Sequence, residues 1–311
     1  MKILNINNLE KRYGNFLAVD NISLSVEKGE VFGLLGPNGA GKSTTINIII
    51  GLLKSNGGEI QIFGKDQKKH EKEIKKKIGI VPQNLAIYKE LSAEENIEFF
   101  GSIYGLKGKA LKEAVEYALE FTGLLEHRKN KAKNFSGGMM RRLNIACGIV
   151  HKPELVIMDE PTVGIDPQSR NHILESVKKL NQDGCTVIYT SHYMEEVENL
   201  CNRISIMDKG KIIAEGTQEE LITMVSDTQN LEVEISDIKK IDKEEILNIK
   251  GVKSLIIKDE VLNINSLREV SNLNLIIDYL TAKEVKIRNI GYTDINLETV
   301  FLNLTGRNLR D

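Results

Sequence analysis

The 311-residue sequence predicts an α/β fold, a mostly parallel sheet wrapped by helices, with a small α+β domain after it. Three observations carry this. An apolar run, VFGLL, enters a glycine-rich loop at Gly36 and leaves it as a helix. Farther on, strand-like and helix-like segments alternate. After about Val225 the composition shifts, and the remaining segments follow a β-α-β-β-α-β order, which is ferredoxin-like.

Taken in order, ILNINNL, LSVEKGE and VFGLL read as strands between Lys2 and Leu35, the last of them buried. A helix is expected from Lys42 to about Leu53. Leu91 to Leu125 reads as mainly helical, opened by the capping box SAEE at Ser92–Glu95. LVIMDE and CTVIYTS are strands, with helices near Gln168–Asn181 and Tyr193–Cys201. RISIMDKGKIIAEG forms a hairpin turning at Asp208–Gly210. In the tail, LEVEI, VKSLIIK, VLNIN and VKIRNI are strands among helices, with a turn at Asp259–Glu260. The closing helix is expected to pack Leu297, Val300, Phe301 and Leu304 on its own domain.

With 41% hydrophobic and 28% charged residues, the chain can bury one large core and a smaller one. A net charge of -2 argues against a broad nucleic-acid surface. The lysine-rich stretch Lys65–Lys77 has Glu71 and Glu73 interleaved, so it reads as a solvated helix face. Cys147, Cys185 and Cys201 lack CxxC spacing and read as buried thiols in a reducing cytosol. The most apolar run, Ile46–Leu53, is far shorter than the ~18 residues of a membrane span. Any membrane role is therefore expected to need a partner.

Two segments carry chemistry. GPNGAGKS at Gly36–Ser43 fits G-x-x-x-x-G-K-[ST] between a strand and a helix. Backbone N–H groups of Gly36, Pro37's neighbours Asn38, Gly39 and Ala40, and Gly41 to Thr44 at the helix start would cradle phosphates. Lys42 would reach the outer phosphates and Ser43 would ligate Mg²⁺. LVIMDE places Asp159 and Glu160 at a strand's carboxyl end. By itself such a strand also fits a surface turn; beside the glycine loop, Asp159 reads as a holder of Mg²⁺ through water and Glu160 as general base.

With these motifs in place, residues 2 to about 220 resemble the ATP-binding subunits of ABC transporters, and the chain is identified as a P-loop NTPase of ABC type. The resemblance implies an antiparallel β subdomain and a helical subdomain over about residues 84–150; with the composition shift after Val225, the chain is expected to form a nucleotide-binding domain over 1–225 and an accessory domain over 226–311. Tyr13 in KRYGNFLAVD matches the aromatic that stacks on adenine, with Pro37 part of the phosphate loop. Gln83 in IVPQN matches the glutamine that touches Mg²⁺ and relays nucleotide state. NFSGGMMRR matches the signature motif, so Ser136, Gly137 and Gly138 would meet the ATP of a partner subunit. Asp166 in GIDP matches the loop that crosses to that partner, and His192 in YTSHYMEE matches the histidine at the γ-phosphate. Phe135 and Met139 depart from the family's usual Leu and Gln.

The resemblance implies an ATP hydrolase using ATP and Mg²⁺, with Lys42, Glu160 and His192 at the chemistry. It also implies dimerisation with a second copy or a close relative, and an integral membrane permease as partner. The location that follows is cytoplasmic, on the inner face of the membrane. INLETVFLNLTGR and TSHYMEEVENLCNRI further resemble ATPases serving ABC-2-type exporters. An importer ATPase and a soluble ATP-dependent regulator are the alternatives. The tail is expected to stabilise the dimer or regulate turnover.

Overall fold

A computed structural model describes residues 1–224, 227–293 and 296–306. Val225, the expected domain limit, and Ile295 and Arg307 of the closing segment lie outside these. The chain divides into two compact units, Met1–Ile212 and Ile213–Asp311.

The first unit opens with β1 (Lys2–Tyr13), β2 (Phe16–Glu27), β3 (Val31–Leu35) and α1 (Lys42–Ile49). It continues through β4 (Gly57–Ile62), β5 (Lys65–Asp66), α2 (Glu71–Lys75) and β6 (Ile78–Val81). Then come α3 (Ala93–Ile103), α4 (Gly108–Phe121), α5 (Gly137–Ile149), β7 (Leu155–Asp159), α6 (Pro167–Gln182), β8 (Thr186–Ser191), α7 (Met194–Leu200) and β9 (Arg203–Asp208). The division between the units falls within β10 (Lys211–Gly216).

One sheet is antiparallel, in the order β2-β1-β4-β5. The other has parallel strands in the order β9-β3-β8-β7-β6. Their shared core includes Ile6 and Ile62 from the first sheet, Phe32 and Ile157 from the second, and Ile46 and Ile49 of α1. β3, β7 and β8 carry almost wholly buried runs, as strands covered on both faces do. α1 ends four residues short of the expected Leu53, at the Ile50 cap, and Gly51 follows with a positive φ of 75°. β4 and β6 were not anticipated: IQI and IGIV are too short to stand out as periodic segments.

α3, α4 and α5 enclose a separate core of Ala93, Ile97, Val115, Leu119 and Leu143. The Ser92–Glu95 capping box is formed in both directions. Phe135 is 7% exposed within this core and Met139 packs against it, so the two departures from the family pattern serve helix packing. Of the lysine-rich stretch, only Glu71–Lys75 is helical; within it Lys65 pairs with Glu73 and Lys75 with Glu71. The three thiols are free, and burial pushes that of Cys185 up to about 12.

His151 follows α5, its ring stacked on Tyr104 at 3.5 Å and its Nε2 3.1 Å from the Ile78 carbonyl. Burial lowers its pKa from 6.5 to about 4. The neutral form is thus favoured in the folded chain, so its contribution to stability is complete above pH 6.5 and lost as pH falls towards 4. After discounting for partial solvent contact this amounts to about 1–2 kcal/mol. Thermal melting at pH 7.5 and pH 5.5 is expected to show a larger acid-induced drop for wild type than for His151→Gln; equal drops would assign the acid sensitivity elsewhere.

The second unit contains α8 (Gln218–Thr223), β11 (Thr228–Ile235), α9 (Lys243–Leu247), β12 (Val252–Lys258), β13 (Val261–Leu267), α10 (Leu273–Ala282), β14 (Ile287–Thr293) and α11 (Leu297–Thr305). Its antiparallel sheet has the order β12-β13-β11-β14, which is the ferredoxin-like arrangement. Leu231, Val233, Leu262 and Ile264 alternate into a core with Ile276 and Leu280 of α10. α11 corrects one expectation: Leu304 is 40% exposed, whereas Leu302 is buried with Leu297, Val300 and Phe301. Burial takes in a wide stripe at the start of this helix and does not reach its last turn before the Gly306 cap.

Candidate functional site

The carboxyl ends of four parallel strands converge on one place. β3 delivers the Gly36 loop, β6 delivers Pro82 and Gln83, β7 ends at Asp159 with Glu160 next, and β8 ends at Ser191 with His192 next. Register does the alignment: Leu35 lies opposite Ser191, and Asp159 opposite Thr190. Crevices at strand carboxyl ends are where open α/β sheets bind ligands.

The loop from Gly36 runs into α1, whose cap is Gly41 at φ 107°. A side chain there would meet the Ala18 carbonyl at 2.5 Å, so glycine is required for both backbone angle and space. No side chain caps α1, which leaves its first N–H groups available to an anion. A cleft of about 330 Å³ is lined by Tyr13, Phe16, Pro37–Thr44, Gln83 and Glu160. Tyr13 and Phe16 are 47% and 64% exposed, large aromatic faces at the rim beside a phosphate-type loop. Phe16 was not singled out from sequence; its place across the β1–β2 turn from Tyr13 was the available signal.

Behind the loop sits a buried ionic cluster. Lys42 and Glu160 are each 4% exposed, with Nζ 3.1 Å from Oε1. Lys42 also donates to the carbonyls of Gly36 at 2.7 Å and Pro37 at 3.2 Å. The second carboxylate oxygen of Glu160 accepts from Gln83 Nε2 at 3.1 Å and lies 3.3 Å from His192 Nδ1. Glu160 has φ 46°, a left-handed backbone that costs a non-glycine residue about 1–3 kcal/mol. Its N–H donates to Thr190 Oγ1 at 2.9 Å, and Thr190 in turn donates to Asp159 Oδ1 at 2.6 Å. The structure brings the predicted Lys42, Gln83, Glu160 and His192 together; sequence reading missed Thr190, the hydroxyl that links both carboxylate residues. A threonine before Ser-His in an otherwise apolar strand was the signal.

Gln83 is held from outside. Arg141 of α5, 5% exposed, donates to the carbonyls of Pro82 at 2.9 Å and Gln83 at 2.8 Å. Asn144 donates to the Pro82 carbonyl at 3.3 Å and accepts from the Ala86 N–H at 3.1 Å. The helix that begins at Gly137 therefore grips the loop bearing Gln83. A polar pair three residues apart in the apolar half of α5 marks this in the sequence.

The other predicted residues form a second group. Ser136 caps α5, accepting from Met139 N–H at 3.2 Å, and Asp166 caps α6, accepting from Ser169 N–H at 2.9 Å. That bond holds the Asp166 carboxyl below its usual range. The two helix starts touch: a side chain on Gly138 would fall 2.0 Å from Ser169 Oγ and 3.5 Å from Asp166 Oδ2. Ser136, Gly137, Gly138 and Asp166 thus share one corner, and none of them lines the phosphate-loop cleft.

For a divalent cation, Ser43 offers a hydroxyl, Gln83 an amide and Asp159 a carboxylate. This is a hard oxygen set of the kind Mg²⁺ takes together with phosphates and waters. No group of three or more His, Cys, Asp or Glu side chains forms a metal cage among the described residues. Among these residues no helix is long and apolar enough to cross a membrane.

A glycine-rich phosphate-type loop opening a helix, with a buried lysine and a carboxylate at the end of a neighbouring parallel strand, defines the class of P-loop ATPases. Residues 19–163 match the family described as ABC transporter. The chain is 48% identical over 312 residues to the linearmycin resistance ATP-binding protein of Bacillus subtilis, spanning 99% of this chain and 100% of that one. It is 36% identical over 316 residues to the Nod factor export ATP-binding protein I of Cupriavidus metallidurans, covering 99% of each. Among solved structures, an ATP-binding cassette of an ABC transporter in its ADP conformation has a TM-score of 0.63 at 31% identity, covering 71% of this chain and 92% of that one. A dimeric post-hydrolysis cassette bound to ADP and Pi has a TM-score of 0.63 at 28% identity, covering 69% and 98%. The chain belongs to the ABC transporter family, as an ATP-binding subunit that hydrolyses ATP.

Proposed function

We propose that this subunit powers an exporter: ATP closes a dimer of the chain, hydrolysis reopens it, and a separate membrane permease converts the motion into outward transport. Support comes from relatives named for Nod factor export and linearmycin resistance that align with this chain along nearly their whole length. The observation that carries the nucleotide mechanism is the Lys42–Glu160 cluster at the base of the Gly36 loop. A phosphate on that loop competes with Glu160 for the Lys42 ammonium. The freed carboxylate then orients and deprotonates the attacking water, with His192 and Gln83 on its second oxygen. Ser43, Gln83 and, through water, Asp159 would hold Mg²⁺, which would supply charge neutralisation at the phosphates. Tyr13 receives the adenine face. Ser136, Gly137, Gly138 and Asp166 act on the ATP of the partner subunit.

The permease is assigned to the surface beside the Gln83 loop. There Tyr88, Phe99 and Ile103 are 51%, 40% and 62% exposed, and Tyr88 and Phe99 pack edge to face at 4.9 Å. An exposed aromatic patch next to a nucleotide-sensing loop suits a hydrophobic partner. Docking there would place the chain on the inner face of the membrane. The domain assignment is nucleotide binding over 1–225, with the helical part over 84–150, and an accessory role for 226–311.

The test is reconstitution with its permease in proteoliposomes. ATP-driven movement of an amphiphilic natural product away from the ATPase-bearing side is expected, with permease-stimulated turnover that Tyr88→Glu/Phe99→Glu abolishes. Movement toward that side, or turnover indifferent to the permease, would overturn the reading.

A further inference from the structure

α7 carries a buried acid that the hydrolysis scheme above does not use. Glu196 is 2% exposed. Its Oε2 accepts three hydroxyls at once: Thr162 at 2.8 Å, Tyr189 at 2.9 Å and Ser191 at 3.1 Å. Its Oε1 lies 3.4 Å from Arg170 Nε, and the Arg170 guanidinium lies over the Tyr193 ring at 4.8 Å. A carboxylate is costly to bury, and one that remains does so by engaging several donors and a cation together.

The positions of those donors give the cluster its meaning. Thr162 is two residues past Glu160. Ser191 immediately precedes His192, and its hydroxyl also accepts from the Tyr193 N–H at 2.9 Å, closing a bridge across His192. Arg170 stands one turn into α6, with its N–H bonded to the Asp166 carbonyl at 2.9 Å. One side chain therefore ties together the loop after Glu160, both flanks of His192 and the helix capped by Asp166. Packing alone explains none of this, since a methionine would fill the volume without any of the four contacts.

We propose that Glu196 is a positioning residue: it locks the Glu160 loop and the His192 turn in register with each other and with the Asp166 corner, so that these three move as one body during turnover. The proposal rests on the reading of Glu160 and His192 as the hydrolytic pair. Gln at 196 keeps the shape and an acceptor for the hydroxyls but turns an amide N–H₂ or a neutral oxygen toward Arg170, which releases the α6 limb.

The experiment measures steady-state ATP turnover of the full chain for wild type, Glu196→Gln, Thr162→Val and His192→Ala, and for each of the first two substitutions combined with His192→Ala. Glu196→Gln is expected to lower kcat by about tenfold with KM for ATP within about twofold of wild type, because the P-loop is untouched. Thr162→Val should lose about threefold in kcat in the same pattern. In the His192→Ala background neither substitution should add more than about twofold, since each acts by holding the Glu160 loop in register with the His192 side chain, a register that no longer matters once that side chain is gone. Full turnover in Glu196→Gln, or the same factor lost in both backgrounds, would overturn the proposal. If Glu196→Gln does not fold, Thr162→Val, an isosteric loss of one donor, carries the same comparison. Should His192→Ala itself turn over at the wild-type rate, the assignment of His192 fails first, and the positioning proposal falls with it.

Discussion

Glu160→Gln is expected to reduce ATP turnover by about 10²–10⁴-fold, the range for loss of a general base, while ATP still binds. The substitution keeps the volume of a side chain only 4% exposed, and Lys42 keeps the Gly36 and Pro37 carbonyls as acceptors, so the loop has no reason to collapse. Bound ATP that is not hydrolysed should hold two chains together. Size-exclusion chromatography with light scattering in ATP and Mg²⁺ is therefore expected to show a dimer for the variant and mostly single chains for wild type after turnover. A variant that keeps more than a tenth of wild-type turnover would remove Glu160 from the role of base.

Gly138→Ala should be nearly as damaging, for a reason visible only in three dimensions. The added methyl would lie 2.0 Å from Ser169 Oγ and 2.5 Å from its Cβ, inside contact distance, so the starts of α5 and α6 must separate. That displaces Ser136 and Asp166, the two caps proposed to face the partner's ATP, while the phosphate loop of the same chain is untouched. A fluorescent ATP analogue should bind the single chain with affinity within about threefold of wild type, and turnover should fall by about 10²-fold. Ser169→Gly removes the clashing atoms, and the double variant Gly138→Ala/Ser169→Gly is expected to regain at least a tenth of wild-type turnover. Absence of rescue would mean that Gly138 matters through direct approach to a nucleotide rather than through the α5–α6 contact.

Most of the nucleotide site was legible along the chain because its chemistry is local. GPNGAGKST needs only neighbouring backbone N–H groups, and LVIMDE needs only a buried strand with carboxylates at its end. The Ser92–Glu95 capping box and the tail's β-α-β-β-α-β order were legible for the same reason: each is set by residues within a few positions of one another. Illegible were the contacts made between segments. Arg141 lies 58 residues from the Gln83 carbonyl it holds, Thr190 lies 31 from Asp159, and Glu196 lies 34 from Thr162. None has a spacing that a periodic pattern could reveal. Leu304 failed in the opposite sense: its helical spacing with Leu297 and Val300 was right, but burial depends on how far the covering surface extends, and it stops before the last turn.

The sequence alone thus determined that this protein carries the phosphate-binding loop of an ATPase. Hydrogen bonding to phosphate depends on backbone shape over fewer than ten residues, which glycine, lysine and serine set locally. Only the tertiary structure decided how Glu160 is held, what Glu196 gathers and why Gly138 tolerates no side chain. These follow from strand register and helix packing, where a separation of a few ångströms is fixed by residues far apart in the chain.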